Sequence, residues 1–292
     1  MDEQLSEWLK LREGVDAEAR AGDLTRRVAD AVARAETVHV LDLATGAGSN
    51  VRYLTERLPG RQRWLVVDRS ARLLSSLMAR TRTWARRQGY EHSTSMGTLS
   101  IRGEGRQWDI STQERDLHVI DPALVEGRHL VTASALLDLV AEAWLQSIAS
   151  LCRTAGAVAL FPIIYNGGSC ASPAEPEDEM VLDLFNRHQR TDKGLGGPAA
   201  GPAATDAAAR AFAAEGFHVE VEPSDWVLGD DDREVQRQLI DGWAFAATEM
   251  GPDSAEVIAN WKSRRLAHVE AGASRIVVGH FDLAAFPQDR RG

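Results

Sequence analysis

Over the first 165 residues, short apolar runs alternate with longer amphipathic stretches. The runs VHVLDLA (38–44), RWLVVD (63–68), HLVTAS (129–134) and AVALFPII (157–164) are too short for ordinary helices. They also lack strict apolar–polar alternation, as strands buried on both faces do. The stretches between them, 48–58, 70–88 and 138–153, repeat apolar positions every three or four residues and predict helices. Strands alternating with helices predict a doubly wound α/β fold with a mostly parallel sheet.

The two ends read differently. Residues 3–35 are helical in pattern, with Leu5, Trp8 and Leu11 on one apolar face and Leu24, Val28 and Val32 on another. After Tyr165, NGGSCASPAEPEDE predicts a loop, DEMVLDLFNRHQR a helix and GLGGPAAGPAATD a flexible stretch. FHVEVEPSDW alternates, with Phe217, Val219 and Val221 on one side, and predicts an antiparallel strand. Helices over 231–249 and 253–270 then precede a last strand at SRIVVGHFDL. The expected organisation is a helical cover over 1–35 and one α/β domain over 36–292. A helical pair at about 231–270 is inserted between two C-terminal strands of that domain's sheet.

Composition adds boundaries. The chain has 292 residues, 44% hydrophobic and 26% charged, which suits a globular protein with a sizeable core. No apolar run reaches the ~20 residues of a membrane span, and MDEQLSEWLKLRE has neither the basic flank nor the apolar segment of a leader. A soluble cytoplasmic protein is the simplest expectation. Cys152 and Cys170 stand far apart and predict neither a disulfide framework nor a metal site. The formal charge of −10 disfavours nucleic acid as the main partner. Residues 52–106 nevertheless carry twelve arginines against four acids, so RNA competes there with a reading as solvated helix faces.

The chemistry concentrates where the first strand breaks off, in LDLATGAGSN. In an open parallel sheet, ligands bind beyond the carboxyl ends of the strands. A dinucleotide loop wants a third small residue where Val51 stands. It would also be poorly served by an acid, Asp42, within the strand. An acid suits a cationic ligand better.

The segment LDLATGAGSN resembles motif I of the class I S-adenosylmethionine-dependent methyltransferases, with Asp42 as its acid and Ala44, Gly46 and Gly48 as its small positions. Ala44 departs from the usual glycine. Asp68, 26 residues on, matches the acid that accepts from the ribose hydroxyls. The resemblance spans about 36–165 and implies the Rossmann-like methyltransferase fold, with S-adenosylmethionine as cofactor. It implies cofactor contacts at Asp42, Ala44, Thr45, Gly46, Gly48, Asn50, Asp68 and Arg69, and through the backbone at Ala133, Ser134 and Ala135. Asp109 is assigned to the adenine amino group, with Asp116 and Asp121 as weaker candidates. His129 stands where the family often has an acid. SALLDL replaces the D/N-P-P-Y/F tetrapeptide of enzymes that methylate amino groups of nucleic acids. Asp138 reads first as an acid meeting the macrodipole of the following helix.

Methyl transfer needs a positioned nucleophile and sometimes a base. Tyr165, Asn166 and His188 are the catalytic candidates, with His280 a further possible base. Arg12, Tyr165, Trp226 and Trp243 are the substrate candidates, and Trp261 belongs to the same aromatic group. Arg12, Asp16 and Arg20 recur every four residues, as a salt-bridge ladder or as a lid in which Arg20 reaches the cofactor carboxylate. The expected reaction is methylation of a small metabolite. The competing expectations are displacement of methylthioadenosine by a related transferase or cyclase, a non-catalytic partner subunit, and transfer to RNA. A small molecule is the expected partner, with no nucleic acid and no membrane, and a homodimer stays open.

Overall fold

The computed structural model describes residues 2–103 and 105–288. Helices α1 (Asp2–Leu11), α2 (Glu13–Ala19) and α3 (Gly22–Val32) lead into β1 (Thr37–Leu43), α4 (Ser49–Thr55), β2 (Arg61–Asp68) and α5 (Ala71–Arg87). Strands β3 (Glu91–Ser95), β4 (Thr98–Gly103) and β5 (Arg106–Glu114) follow, then α6 (Pro122–Val125), β6 (Leu130–Thr132), α7 (Glu142–Ala155) and β7 (Val158–Ser172). The chain continues through α8 (Asp178–Gln189), α9 (Ala204–Ala214), β8 (Phe217–Pro223) and β9 (Trp226–Leu228). It ends with α10 (Arg233–Met250), α11 (Ala255–Glu270) and β10 (Arg275–Pro287).

Among the described residues, one sheet has the order β3-β4-β5-β2-β1-β6-β7-β10-β8, with β9 paired to β10. Strands β5, β2, β1, β6 and β7 are mutually parallel. Successive strands step outward from β1 to β2 to β5, and the chain then returns to β6 on the other side of β1. The strand order therefore reverses between β1 and β6, and a ligand crevice belongs at that point. This is an open, doubly wound α/β fold, with a helical pair between β9 and β10.

The two faces of β1 explain its composition. Val38 and Val40 join Leu24, Val28 and Val32 of α3, Val51 and Leu54 of α4, and Leu77 of α5 in one core. Leu41 and Leu43 join α6, α7 and α9 in another. Each fully buried Leu or Val contributes roughly 1.5–3 kcal/mol, so a strand covered on both sides needs no polar alternation. Helix α3 is thus a layer of the sheet, and only α1 and α2 extend over the strand ends. A third core gathers Ile163, Tyr165, Trp226, Trp243 and Trp261 between α8, α10, α11 and the far ends of β7 and β10.

Two sequence expectations need correction here, and one element was not expected. NGGSCAS is strand rather than loop, because β10 pairs along it as far as Arg275 opposite Ser172. Pairing with a long partner overrides the turn preference of Asn and Gly. The Gly/Pro/Ala stretch ends in α9, whose Ala207, Ala208 and Phe212 pack into the sheet. The hairpin β3–β4, unpredicted, extends the sheet edge beyond β5.

Candidate functional site: a cleft over the ends of the parallel strands

Strand β1 ends at Leu43, and the backbone turns sharply. Ala44 adopts φ 49°, Gly46 φ 55° and Gly48 φ 83°. Left-handed backbone is open to glycine and costs an alanine roughly 1–2 kcal/mol. Ala44 therefore carries a glycine's conformation without being one. Asp42 lies fully buried beneath this loop. Its oxygens accept from Thr45 Oγ1 and, at 2.8 Å, from Asn50 Nδ2. Burial raises its pKa to about 6 against those two hydrogen bonds and the charge of Arg20. Asp42 thus ties the loop from below.

Asp68 ends β2 and receives two backbone N–H groups, from Gly46 at 2.9 Å and Ser70 at 2.9 Å. Ser70 caps α5 by accepting from the Leu73 N–H. The carboxylate is therefore held by both the glycine loop and the next helix before any ligand arrives.

Asp42, Ala44, Thr45, Gly46, Asn50, Asp68, Arg69 and Ser134 line one cleft of about 620 Å³, within the usual range for a small-molecule pocket. Helices α1 and α2 roof it with Trp8, Leu9, Arg12 and Asp16, and Lys193 and Leu195 close another side. A Cβ on Gly46 would lie 3.0 Å from Leu9, so the roof rests on the loop. Gly48 has another role. Its Cβ would lie 2.6 Å from Leu77, so this glycine admits α5 rather than a ligand.

A second hollow of about 240 Å³ adjoins the cleft, sharing Asp16, Ser49, Asn50 and Ser134 with it. Arg20 lines it, buried, with Nη1 donating to Asn50 Oδ1 at 2.9 Å and the guanidinium 4.2 Å from the Tyr53 ring centre. Arg20 Nε and Nη2 have no hydrogen-bond partner among the described residues, although Nε lies 3.5 Å from Asp282. Desolvation lowers the Arg20 pKa, partly offset by Asp282. Unmade donors on a buried cation are costly, and the Asp282 carboxylate offsets part of that cost.

Other predicted residues lie elsewhere. Asp109 sits in mid-strand, paired with Arg63 across β2–β5 and bonded to Ser100 at 2.7 Å. Strand β5 runs on to Glu114, so Arg115 and Leu117 occupy the rim assigned to Asp109. Asp116 is exposed beside His118, and Asp121 caps α6. Ala133 is packed in the core. Tyr165 donates to Asn186 at 2.9 Å and packs against Phe185 and His280, off the cleft wall. The Asn166 side chain closes a local turn on the Gly168 N–H. His188 pairs with Glu249 on the surface side of α8. His280 is buried, and burial with Arg12 nearby pushes its pKa down to about 3, so it stays neutral.

Among the substrate candidates only Arg12 reaches the cleft wall. It bonds Asp16 through two 2.9 Å hydrogen bonds and lies 4.7 Å from the ring centre of Trp226, whose Nε1 also donates to Asp16. The Arg12–Asp16 rung of the ladder is thus part of the cover, while Arg20 turns to Asn50 and Asp282. Trp226 backs the cover, while Trp243 and Trp261 border a separate hollow beside Cys170. The basic stretch is also partly spent internally. Arg52 and Arg80 both hold Glu13 of α2, and Arg106 donates to the Glu56 carbonyl.

Sequence reasoning undervalued Asp138. It lies in a short turn after β6, whereas α7 begins at Glu142, so it does not serve that helix's first turn. It is buried, and burial raises its pKa to about 6. No group of three or more metal-ligating side chains occurs among the described residues, and no described helix is long and apolar enough to cross a membrane.

No family model matches this chain, and no curated protein matches it. Solved structures resemble it at low identity. The cyclopropane synthase MmaA2 from Mycobacterium tuberculosis is 12% identical over 89% of this chain and 82% of its own, with a TM-score of 0.44. The YcgJ protein of Bacillus subtilis is 12% identical over 91% and 99%, with a TM-score of 0.46. A geranyl diphosphate methyltransferase in complex with S-adenosylmethionine is 9% identical over 91% and 85%, with a TM-score of 0.43. These are remote likenesses and transfer no activity.

Proposed function

We propose that this chain binds S-adenosylmethionine and transfers its methyl group to a small molecule. One observation carries the reading. Asp68, held by two N–H groups, and Arg20, a buried guanidinium ion-paired with Asp282 whose Nη2 has no hydrogen-bond partner among the described residues, line adjoining hollows joined by Ser49, Asn50 and Ser134. A carboxylate with free lone pairs suits the vicinal hydroxyls of a ribose, and a buried guanidinium suits an amino-acid carboxylate. The glycine loop between them supplies backbone without bulk. Val51 is fully buried in the core where a dinucleotide loop needs a small residue, which disfavours a pyrophosphate.

When bound, the cofactor supplies a methyl group activated on a sulfonium. The protein's part is to orient and to exclude water. Leu5, Trp8 and Leu9 form an apolar roof, and Glu13 fastens it to Arg52 and Arg80. The cover, Arg12 and Lys193 face the space left for an acceptor.

Titration calorimetry with S-adenosylhomocysteine tests this reading. Asp68→Ala should weaken binding by roughly 10- to 100-fold, the loss of hydrogen bonds to a charged group. Arg20→Gln should weaken it as well, and adenosine, which lacks the carboxylate, should not sense that change. Unchanged affinity in Asp68→Ala would overturn the site. With an acceptor found, S-adenosylhomocysteine as product supports methyl transfer, and methylthioadenosine would reject it.

A further inference from the structure

Resting on the cofactor reading above, we propose that Arg52 is a positioning residue that joins the cover to the glycine loop, so that cover closure and cofactor retention are one event. Its buried guanidinium donates in two directions. Towards the cover, Nε and Nη2 donate to the two carboxylate oxygens of Glu13, at 2.6 and 2.9 Å. Towards the loop, Nη1 donates to the Ala47 carbonyl at 2.9 Å, and it also reaches Thr81 Oγ1 of α5 at 3.1 Å. Ala47 stands between the two loop glycines, next to Gly46, whose N–H holds Asp68. A Cβ on Gly48 would lie 3.0 Å from Arg52 Nη1, so this glycine leaves room for the guanidinium as well as for Leu77. A rigid planar fork fixes its partners relative to one another, which the single nitrogen of a lysine cannot do.

Glu13 opens α2, and α1 before it carries Trp8 and Leu9 over the cleft. Glu13 Oε2 accepts a second guanidinium, from Arg80 Nη2 at 2.5 Å. Burial and the charge of Arg52 lower the Arg80 pKa, while Glu13 and Glu7 oppose them. One carboxylate therefore holds two arginines together, and without it they would meet as like charges. Lifting the cover means breaking these pairs. A ligand that fixes the loop fixes the Ala47 carbonyl, and through Arg52 it fixes Glu13. Coupling of this kind is reciprocal, so a cover held down by the ligand also holds the ligand in.

Amide hydrogen exchange and S-adenosylhomocysteine dissociation rates, measured on the full chain, test this without knowledge of the acceptor. In the wild type, the ligand should slow exchange in the loop (44–48) and in the cover (5–19) over the same concentration range. Glu13→Gln should keep the loop protection, lose the cover protection and speed ligand dissociation by roughly tenfold, the loss of charge-assisted hydrogen bonds. Arg52→Lys should do the same, because one nitrogen cannot serve Glu13 and Ala47 together. Arg80→Gln leaves the fork on both partners, so its cover should still be protected. The Glu13 and Arg80 side chains are 28% and 23% exposed, so neither substitution opens the core. A merely structural ion pair would lower stability in Glu13→Gln and leave the dissociation rate alone. That result, or cover protection that Arg80→Gln removes equally, would overturn the proposal, as would a wild-type cover that the ligand leaves unprotected. Failure of S-adenosylhomocysteine to bind the wild-type chain would overturn the cofactor reading instead, and this proposal with it.

Discussion

The ends of β1 and β6 lie side by side, and each carries a buried acid raised to about 6 by burial. Below the glycine loop, Asp42 gives its oxygens to Thr45 and Asn50, and Asn50 in turn meets Thr132 and Arg20. In the turn after β6, Asp138 keeps Oδ1 unpaired. Equal burial and an equal shift therefore accompany different roles. An acid with both oxygens bonded stiffens its loop, whereas Asp138 leaves one buried oxygen without a hydrogen-bond partner among the described residues. Hydrogen-bond inventory separates the two where pKa does not.

Removing the saturated acid should have the largest effect. Asp42→Ala strands the donors of Thr45 and Asn50 in a dry site and should lower unfolding free energy by about 2–4 kcal/mol, with loss of cofactor binding. Urea denaturation checks this, and a variant as stable as wild type would mean the loop is not tied from below.

The open acid should show the opposite sign. A carboxyl whose folded pKa is raised stabilises the fold when protonated, and that contribution is lost as pH rises from about 4, its unfolded range, through about 6. Asp138→Asn escapes the loss. The variant should gain on wild type across that window by on the order of 2–3 kcal/mol. Asp42 titrates in both proteins and cancels in the difference. Urea midpoints from pH 4 to 8 measure it, and a constant difference would argue that Asp138 is not ionised within the fold.

The two loop glycines sharpen the contrast further. Gly48→Val drives a side chain into Leu77 at a φ of 83° and should cost about 1–3 kcal/mol of stability. Gly46→Val meets mainly the tip of the Leu9 side chain, so beyond the strain of a φ of 55° it should cost less stability than Gly48→Val and lose S-adenosylhomocysteine affinity. Reversed outcomes would exchange the roles assigned here. The smallest effect belongs to Tyr165→Phe. It removes one hydrogen bond to Asn186, about 1 kcal/mol, and should leave cofactor affinity unchanged.

Much of the cofactor half was legible because its signals are local. A strand buried on both faces, an acid at its end, a loop of small residues and a second acid one unit later each follow from backbone geometry within a few residues of their position. The third strand misled because its length, and hence the place of its rim, depends on pairing with Arg61–Asp68, so Asp109 fell in mid-strand and Arg115 at the edge. The aromatic candidates misled for a related reason. Tyr165 and Trp243 read equally well as pocket wall or as core, and β10 pairing beside α8, α10 and α11 turned them into core.

The sequence by itself determined the alternation of strands and helices, the loop after β1 and the spacing of Asp42 and Asp68 by one strand–helix–strand step. Periodicity and local backbone demands are written along the chain. Only the tertiary structure decided that both Asp42 oxygens are bonded while Asp138 Oδ1 has no partner among the described residues, that Arg20 lies buried beside Asp282, and that Gly48 serves packing while Gly46 serves the cleft. Each of these depends on which side chains from distant segments arrive within hydrogen-bond or van der Waals reach, and no local pattern encodes that.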